Sequence, residues 1–277
     1  WCDGDGLCGS WAAGEAHVDC NISTEAGKHT LFIANAADPG SIIQQVPMPC
    51  GFEDVSYGRG QDSDEFFYFP TPTPGSANVT AAKKGVTPAV TFSERHGYKT
   101  APFQLSLSCA DASAPIYYTL NGASPVPGAV GTYLYSAPIA VSKTTVVRAA
   151  VCDAESILQL DTSATYLFLA DIFQQNAEPP EGFPVSEEVN GQVMRYGMRP
   201  DIVNGDAETR ARLCAGFTNG IRTVSFVIDP LHLFDKKTGI YVNATSSGDD
   251  WERPMMVEQI YPSDPEDEFS VPCGVRI

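Results

Sequence analysis

The chain has 277 residues, of which 43% are hydrophobic, so it can build packed cores for two domains or for three small ones. Against 17 Lys and Arg stand 34 Asp and Glu, which gives a formal net charge of −17 at pH 7. This acidity argues against nucleic acid as a partner, because such a surface repels phosphate backbones, and no apolar run reaches the ~18 residues that membrane insertion requires.

The first predicted region, residues 1–79, consists of short strands. The apolar runs that predict them are 30–34, 41–46 and 66–69. An Asp-Pro-Gly turn at 38–40 separates the first two runs, as expected for a hairpin. Three prolines within 70–75 exclude a helix or a central strand there, because proline lacks the N–H group and fixes φ. We therefore expect the region to end in an extended exit.

The second predicted region, residues 80–170, is a β-sandwich. Its runs are short, β-branched or aromatic, and they are separated by turn residues such as the Asn121-Gly122 pair. The predicted strands are 103–108, 116–120, 132–135, 144–151 and 164–169. A stretch of ~90 residues is the size expected for a seven-stranded sandwich.

The third predicted region, residues 171–277, mixes helix and strand. A helix is expected over 206–217 with Asp206 as its N-cap, and a short helical turn over 229–234. Strands are expected at 224–228 and 255–261. The predicted fold class is therefore mainly β, with two immunoglobulin- or fibronectin-like β-sandwiches in tandem followed by a smaller α/β segment.

Two stretches of the first two regions resemble known families. The Asp54–Arg59 and Tyr68–Asn78 motifs resemble the closing part of a lamin-tail domain, an immunoglobulin-like sandwich whose opening strands this chain lacks. The Ala114–Pro125 motif, with Ala137–Ile139 and Thr145–Ala149, resembles the chitobiase/β-hexosaminidase C-terminal module, which is similar to a fibronectin type III sandwich. The resemblance implies spacer and docking modules.

The third region resembles the opening of a CotH (spore coat protein H)-type domain. The motifs that carry this resemblance are Tyr196–Asn204, Gly239–Asn243, Trp251–Pro254 and Gly274–Ile277. Some CotH-type domains are atypical kinases, and the resemblance implies that their nucleotide lysine and metal-binding acids would follow the last of these motifs. We therefore expect no catalytic residue and no nucleotide cofactor site in this chain, and predict that it is not an enzyme.

The cysteine pattern predicts a disulfide framework of the kind formed in oxidising compartments, because no Cys-x-x-Cys metal motif is present. The eight cysteines are Cys2, Cys8, Cys20, Cys50, Cys109, Cys152, Cys214 and Cys273. Pairing within the predicted regions gives Cys2–Cys8, Cys20–Cys50, Cys109–Cys152 and Cys214–Cys273, although crossed pairings in the first region stay open. Buried free thiols are the alternative.

Three N-glycosylation sequons, at Asn21, Asn78 and Asn243, add to the expectation of an extracellular or cell-surface protein. All three asparagines are expected to be exposed, on loops or strand edges. Asn78 is the firmest of them, because it follows the proline-rich exit.

Several polar clusters are candidate binding sites. Asp3 and Asp5 could hold Ca²⁺ in a tight turn, the only cofactor that we consider, although a plain disulfide-closed turn is favoured. Glu252 and Arg253 are expected to form a structural ion pair beside Trp251. The carboxylates of 249–250 and 264–268 are expected to be solvated loop charges.

Four tyrosines on short strands suggest a surface that could stack on sugar rings. They are Tyr117, Tyr118, Tyr133 and Tyr135. Because side chains alternate along a strand, Tyr117 and Tyr118 face opposite sides, and at least one of them should be core.

The function expected from these observations is that of a non-catalytic secreted building block, structural or adhesive, in a cell-surface layer, sheath or filament. One alternative is an accessory region of a secreted CotH-type kinase, and another is a polysaccharide-binding module. The expected partners are other copies of the chain or other extracellular proteins, with glycans as a further class. Nucleic acid and membrane insertion are not expected.

Overall fold

The computed structural model describes residues 30–35, 37–47, 49, 52, 55–153, 156–157, 161–185 and 188–277. Of the described residues, 35% are in strands and 14% in helices, so the chain is mainly β, as the sequence predicts. No helix in these ranges is long and apolar enough to cross a membrane.

The strands are short. In chain order they are β1 (Thr30–Asn35), β2 (Asp38–Pro47), β3 (Ser56–Arg59), β4 (Phe66–Phe69), β5 (Gly85–Val86), β6 (Thr91–Phe92), β7 (Gly97–Tyr98), β8 (Phe103–Leu105), β9 (Leu107–Ser108), β10 (Ile116–Thr119), β11 (Tyr133–Leu134), β12 (Ile139–Val141), β13 (Thr145–Val151), β14 (Ser156–Ile157), β15 (Thr162–Leu167), β16 (Glu188–Val189), β17 (Gln192–Val193), β18 (Thr223–Val227), β19 (Arg253–Ile260) and β20 (Phe269–Val275). The helices are α1 (Leu169–Ile172), α2 (Pro200–Val203), α3 (Ala207–Ala215) and α4 (Pro230–Phe234), with a π-helical turn at Gly216–Gly220 and 3-10 turns at Asp249–Trp251 and Pro265–Asp267.

The chain forms two compact units, one of Trp1–Val86 with Ala154–Ile157 and one of Thr87–Asp153 with Leu158–Ile277. The longer segment of the first unit ends at Val86, and the boundary near residue 80 stays a prediction. The second unit contains nearly all of the second and third predicted regions together.

In the first unit, the described strands form two-stranded sheets: β1 with β2, β3 with β4, and β5 in parallel with β14. The Asp38-Pro39-Gly40 triplet lies inside β2 rather than forming the hairpin turn. Ala34 pairs with Ile42 and Asn35 with Asp38, so the residues between them form a bulge. The predicted turn is thus misplaced by a few residues, because Pro and Gly are tolerated in bulges as well as in turns.

The second unit is built on a sandwich. One layer is a five-stranded sheet in the order β11-β10-β13-β15-β7, and the other consists of the pairs β12-β8 and β6-β9. The core between the layers is aliphatic apart from the buried aromatic residues Tyr166 and Phe168. The Tyr166 ring packs edge-on to Phe103 with ring centroids 5.0 Å apart. The Tyr166 hydroxyl donates to the carbonyl of Glu94 at 2.7 Å, which satisfies the buried phenol.

The outer face of this five-stranded sheet is also buried. On β13 and β15, Arg148, Ser163 and Thr165 point away from the sandwich core, yet each is at most 7% exposed. A three-stranded antiparallel sheet, β18-β19-β20, lies against β15 and covers them. The C-terminal sheet is therefore packed directly onto the sandwich.

The helix predictions for the third region hold well. The Asp206 side chain accepts a hydrogen bond from Thr209 N and begins α3, and Asp229 caps α4 in the same way through Leu231 N. Strands β18 and β19 lie within two residues of the predicted ones. Strand β20 was not predicted.

Candidate functional site

The second unit has a groove of about 950 Å³. It lies where the loop after β10 and the edge strand β11 meet α4, β18, β19 and the end of β20. Its lining is mainly apolar, and includes Leu120, Tyr133, Phe183, Phe226, Ile240 and Met255. Its charged side chains are Lys143 and Glu181. Mostly apolar walls with few polar groups are typical of ligand and partner sites.

Only one of the four tyrosines singled out in the sequence lines this groove. Tyr133 is 51% exposed, and its ring lies 5.5 Å from that of Tyr118. Tyr118 and Tyr135 pack against the sandwich core, whereas Tyr117 pairs with Leu134 and faces the other side of the sheet. The predicted alternation is confirmed, and Tyr118 is the member of the pair that packs on the core.

A buried polar cluster lies behind one wall of the groove. Arg148 pairs with Asp161 at 2.6 Å and donates from Nη1 to the carbonyl of Gly122 at 3.0 Å. Gly122 has φ +80°, a left-handed conformation that glycine adopts without strain, so it can turn its carbonyl toward the guanidinium. The cluster therefore fixes the loop that begins at the Asn121-Gly122 pair.

Asp229 joins α4 to the same loop. Its Oδ2 accepts from Ser124 N at 2.8 Å and its Oδ1 from Leu231 N at 2.9 Å. Burial disfavours the carboxylate, but these hydrogen bonds and nearby His232 outweigh it and lower the pKa of Asp229 below its usual value. The group that holds α4 in place is therefore ionised.

Two neighbours of Asp229 titrate differently. Burial raises the pKa of the Asp161 carboxyl despite the Arg148 guanidinium, and the Asp229 charge raises it further. Burial lowers the pKa of His232, and the Arg148 and Arg253 charges oppose the effect of Asp229 on it. The Nδ1 atom of His232 is buried without a hydrogen-bond partner in the described structure.

The C-terminal sheet is held on the sandwich by a carboxylate that the sequence analysis missed. Glu258 on β19 is 0% exposed, and it accepts hydrogen bonds from the Ser163 hydroxyl at 2.6 Å and from Thr165 N at 2.9 Å. Thr165 in turn shares a 2.7 Å hydrogen bond with Ser225. The sequence signal that could have identified Glu258 is its position between Met256 and Ile260, on the inward face of β19.

The disulfide prediction is wrong for the four cysteines that the structure describes. Cys109, Cys152, Cys214 and Cys273 are all free. The Cys109 thiol donates to the carbonyl of Asp111 at 2.9 Å, and that of Cys152 to Pro125 at 3.3 Å. Assigning pairs by region ignored the short Cβ separation that a disulfide needs.

The asparagines of the two sequons in the described ranges are less exposed than expected, and both donate hydrogen bonds to backbone carbonyls. Asn78 lies in a loop but is half-buried, and its Nδ2 donates to the carbonyl of Arg59 at 2.9 Å. Asn243 is also half-buried, and its Nδ2 donates to Lys236 O and Gly239 O at 3.3 and 2.9 Å. A glycan on Asn243 would replace one of these N–H donors. The prediction that both side chains are exposed is therefore wrong.

The predicted ion pair between Glu252 and Arg253 is also wrong. Glu252 pairs with Arg276 at 2.7 Å, while Arg253 lies over the Trp251 ring and donates to backbone carbonyls. In the acidic run, Asp267 pairs with Arg222 at 2.6 Å. Glu268 is buried and accepts from Tyr261 N at 2.8 Å. These two carboxylates are structural rather than solvated.

The remaining site predictions lie outside the described residues. They are Asp3, Asp5, Cys2, Cys8, Cys20, Cys50 and Asn21. Within the described ranges, no group of three or more His, Cys, Asp or Glu side chains could hold a metal ion.

Comparison with known proteins bears on the sandwich. Residues 94–163 match the chitobiase/beta-hexosaminidase C-terminal domain family. The match covers the stretch from just before β7 into β15, and it confirms that part of the resemblance. No curated protein and no solved structure matched the chain. A module of this family is compatible with a non-catalytic building block.

Proposed function

We propose that the chain is a non-catalytic secreted building block, structural or adhesive, which works by associating with copies of itself or with other extracellular proteins. The proposal includes the lamin-tail and CotH-type resemblances of the flanking regions. It places the protein outside the cell or at its surface, with Ca²⁺ as an aid to contacts between acidic chains.

The observation that carries the proposal is the exposed apolar surface of the β1–β2 hairpin. Every residue of β1 is exposed, including Phe32 at 52% and Ile33 at 46%. On β2, Ile42 and Ile43 are 55% and 69% exposed. Exposed apolar groups of this density mark interaction surfaces in soluble proteins.

The strand pairing of the β1–β2 hairpin also supports association. In the described residues, β1 and β2 pair only with each other, so each strand has a free edge. A two-stranded hairpin is marginally stable alone in water, and free edges accept further strands. We therefore expect the contact to combine main-chain pairing with burial of the isoleucine and phenylalanine side chains.

Sedimentation velocity of the full chain over a range of concentrations tests the proposal. We expect oligomers that Ile43→Lys abolishes, because a lysine there would have to lose its hydration in the contact. Val130→Lys is the matched control, since Val130 is 95% exposed in a loop of the other unit. A monomer at every concentration, with and without Ca²⁺, would overturn the proposal.

A polysaccharide-binding module is the second candidate. It is supported by the family match at 94–163 and by the half-exposed Tyr133 ring in the groove, since aromatic rings stack on sugars. Titration with a panel of oligosaccharides tests it. Binding that Tyr133→Ala removes would favour this candidate, and no binding to any of them would exclude it.

A further inference from the structure

The structure places one histidine where its charge state bears on how the groove wall is held. His232 lies on α4, and α4 is docked on the sandwich loop that follows the Asn121-Gly122 pair. We propose that His232 is an acid-operated latch: the neutral side chain lets α4 stay docked, and its protonation releases α4 and opens one wall of the groove.

α4 is docked by contacts at its two ends, and the segment after it is held where Arg253 donates to the Thr238 carbonyl at 2.8 Å. The N-cap Asp229 of α4 accepts from Ser124 N, which belongs to the loop after β10, and Gly182 packs closely on Pro230 at the start of the helix. The Phe234 ring at its end packs at an angle against the rings of Phe183 and Tyr241, with centroids 5.3 and 5.7 Å away. A helix of little more than one turn that is anchored at its ends is the kind of element that opens locally before the fold as a whole.

The charged groups that face His232 come from three elements. Asp229 caps its own helix, Arg148 projects from β13 and Arg253 from β19. Asp161 faces the cluster through its 2.6 Å pair with Arg148. Near the other end of α4, the Asp235 carboxylate accepts hydrogen bonds from the amides of Lys237 and Thr238. Glu181 lines the groove beside the helix.

A proton on His232 would therefore enter a half-buried site that already holds the Arg148 and Arg253 cations together with the Asp229 carboxylate. Burial lowers the pKa of His232 below its ordinary 6.5, with Asp229 acting against the Arg148 and Arg253 charges. The proton consequently binds better when α4 is open than when it is docked. The docked state is intact at neutral pH and is weakened as the pH falls below 6.5.

Neither Asp229 nor Asp161 weakens the docking of α4 between neutral pH and mild acid. The pKa of Asp229 is lowered, so this group stays ionised while His232 titrates. The pKa of Asp161 is raised, so protonation of Asp161 favours the docked structure as the pH falls. Loss of docking in mild acid therefore has its source in His232.

Release of α4 would change the groove. Its wall is built by Asn121 and Gly122 on the sandwich side and by Ile228, Leu233 and Ile240 around α4. The hydrogen bonds from Ile240 N to His232 O and from Tyr241 N to Leu233 O tie the following segment to the helix. We expect that segment to move with α4.

Amide hydrogen exchange of the full chain by NMR, at pH ~7.5 and ~5, tests the proposal. After correction for intrinsic rates, Ser124 and Leu231 should lose protection in acid, by up to about thirtyfold at pH ~5 for a histidine whose pKa is 6.5 when α4 is open. Core amides of β13 should stay protected. In His232→Gln the loss at Ser124 and Leu231 should be absent.

His96→Gln is the matched control. The His96 side chain is also buried, but its Nε2 lies 4.0 Å from the Glu268 carboxylate, which also pairs with Arg95, and His96 does not line the groove. This variant should lose protection in acid like the unmodified chain. Equal acid sensitivity of His232→Gln and the unmodified chain would overturn the proposal, as would protection that does not depend on pH.

If His232→Gln does not fold, the ring resonances of His232 in the unmodified chain decide the matter. The proposal requires a midpoint below 6.5 that coincides with the shift change of the Ser124 amide. A midpoint above that value, or a Ser124 amide that does not respond, would overturn it.

Discussion

A carboxylate removed from solvent needs hydrogen-bond donors, and Glu258 finds two of them on β15. The Ser163 hydroxyl and the Thr165 amide lie on the outer face of the sandwich sheet, where an isolated sandwich would leave them to water. The charge-assisted hydrogen bonds of Glu258 therefore specify which face of the C-terminal sheet packs on β15. A one-residue slip of β19 would turn this side chain to solvent.

We expect Glu258→Ala to lower the free energy of unfolding by about 3 kcal/mol, because it leaves the buried Thr165 N–H without an acceptor and creates a cavity. Glu258→Gln keeps an acceptor oxygen and should cost about 1 kcal/mol. Urea unfolding followed by tryptophan fluorescence measures both.

Glu252→Ala is the control for this pair of variants, since its ion pair with Arg276 is partly exposed and should change stability by less than ~1 kcal/mol. A Glu258→Ala protein as stable as this control would show that the carboxylate does not hold the two sheets together.

Sequence analysis did not find Glu258 because its partners lie 95 and 93 residues away along the chain. Met256 and Ile260 on the same face of β19 indicate that Glu258 points inward, but they do not show which groups it binds. The predicted disulfides failed for a related reason, since region boundaries carry no information about which Cβ atoms approach each other.

At the scale of elements, the sequence predicted helix starts well, because an N-cap side chain binds an amide only a few residues away. Asp206 and Asp229 begin α3 and α4 as N-caps, because each side chain accepts from an amide a few residues ahead. Strand β20 was missed because it contains Pro272 and Gly274, which disfavour a central strand. It is an exposed edge strand, where both residues are tolerated.

The turn after α4 depends on a glycine for a steric reason. A Cβ on Gly239 would lie 2.5 Å from the Leu233 carbonyl oxygen and 2.7 Å from Asp235 N, both of them backbone atoms that cannot give way cheaply. We expect Gly239→Ala to cost about 2–4 kcal/mol of unfolding free energy, measured by urea denaturation.

Gly85→Ala is the matched substitution, because nothing lies within 4 Å of the added carbon. It should leave stability within ~0.5 kcal/mol of the unmodified chain. If the two alanine variants were equally stable, the turn at Gly239 would not be as tight as the structure has it.

At the scale of the whole molecule, a formal charge of −17 keeps the chain soluble and opposes its association with itself. The exposed apolar side chains of the β1–β2 hairpin would favour association. Since screening weakens long-range repulsion but leaves apolar burial intact, association should strengthen with added salt or Ca²⁺. The mainly β fold followed from composition and strand patterns, whereas exposure of the hairpin on both faces could not be predicted from them.

The most direct test of the account is amide hydrogen exchange of the full chain at low and high protein concentration in the same buffer. We predict that raising the concentration increases protection at Leu31, Phe32, Ile33 and Ile43, because strand edges and apolar side chains there become buried in a contact. Amides around the groove should not change. Identical exchange of the hairpin at both concentrations, or added protection confined to the groove, would contradict the claim that the chain works by association through β1 and β2.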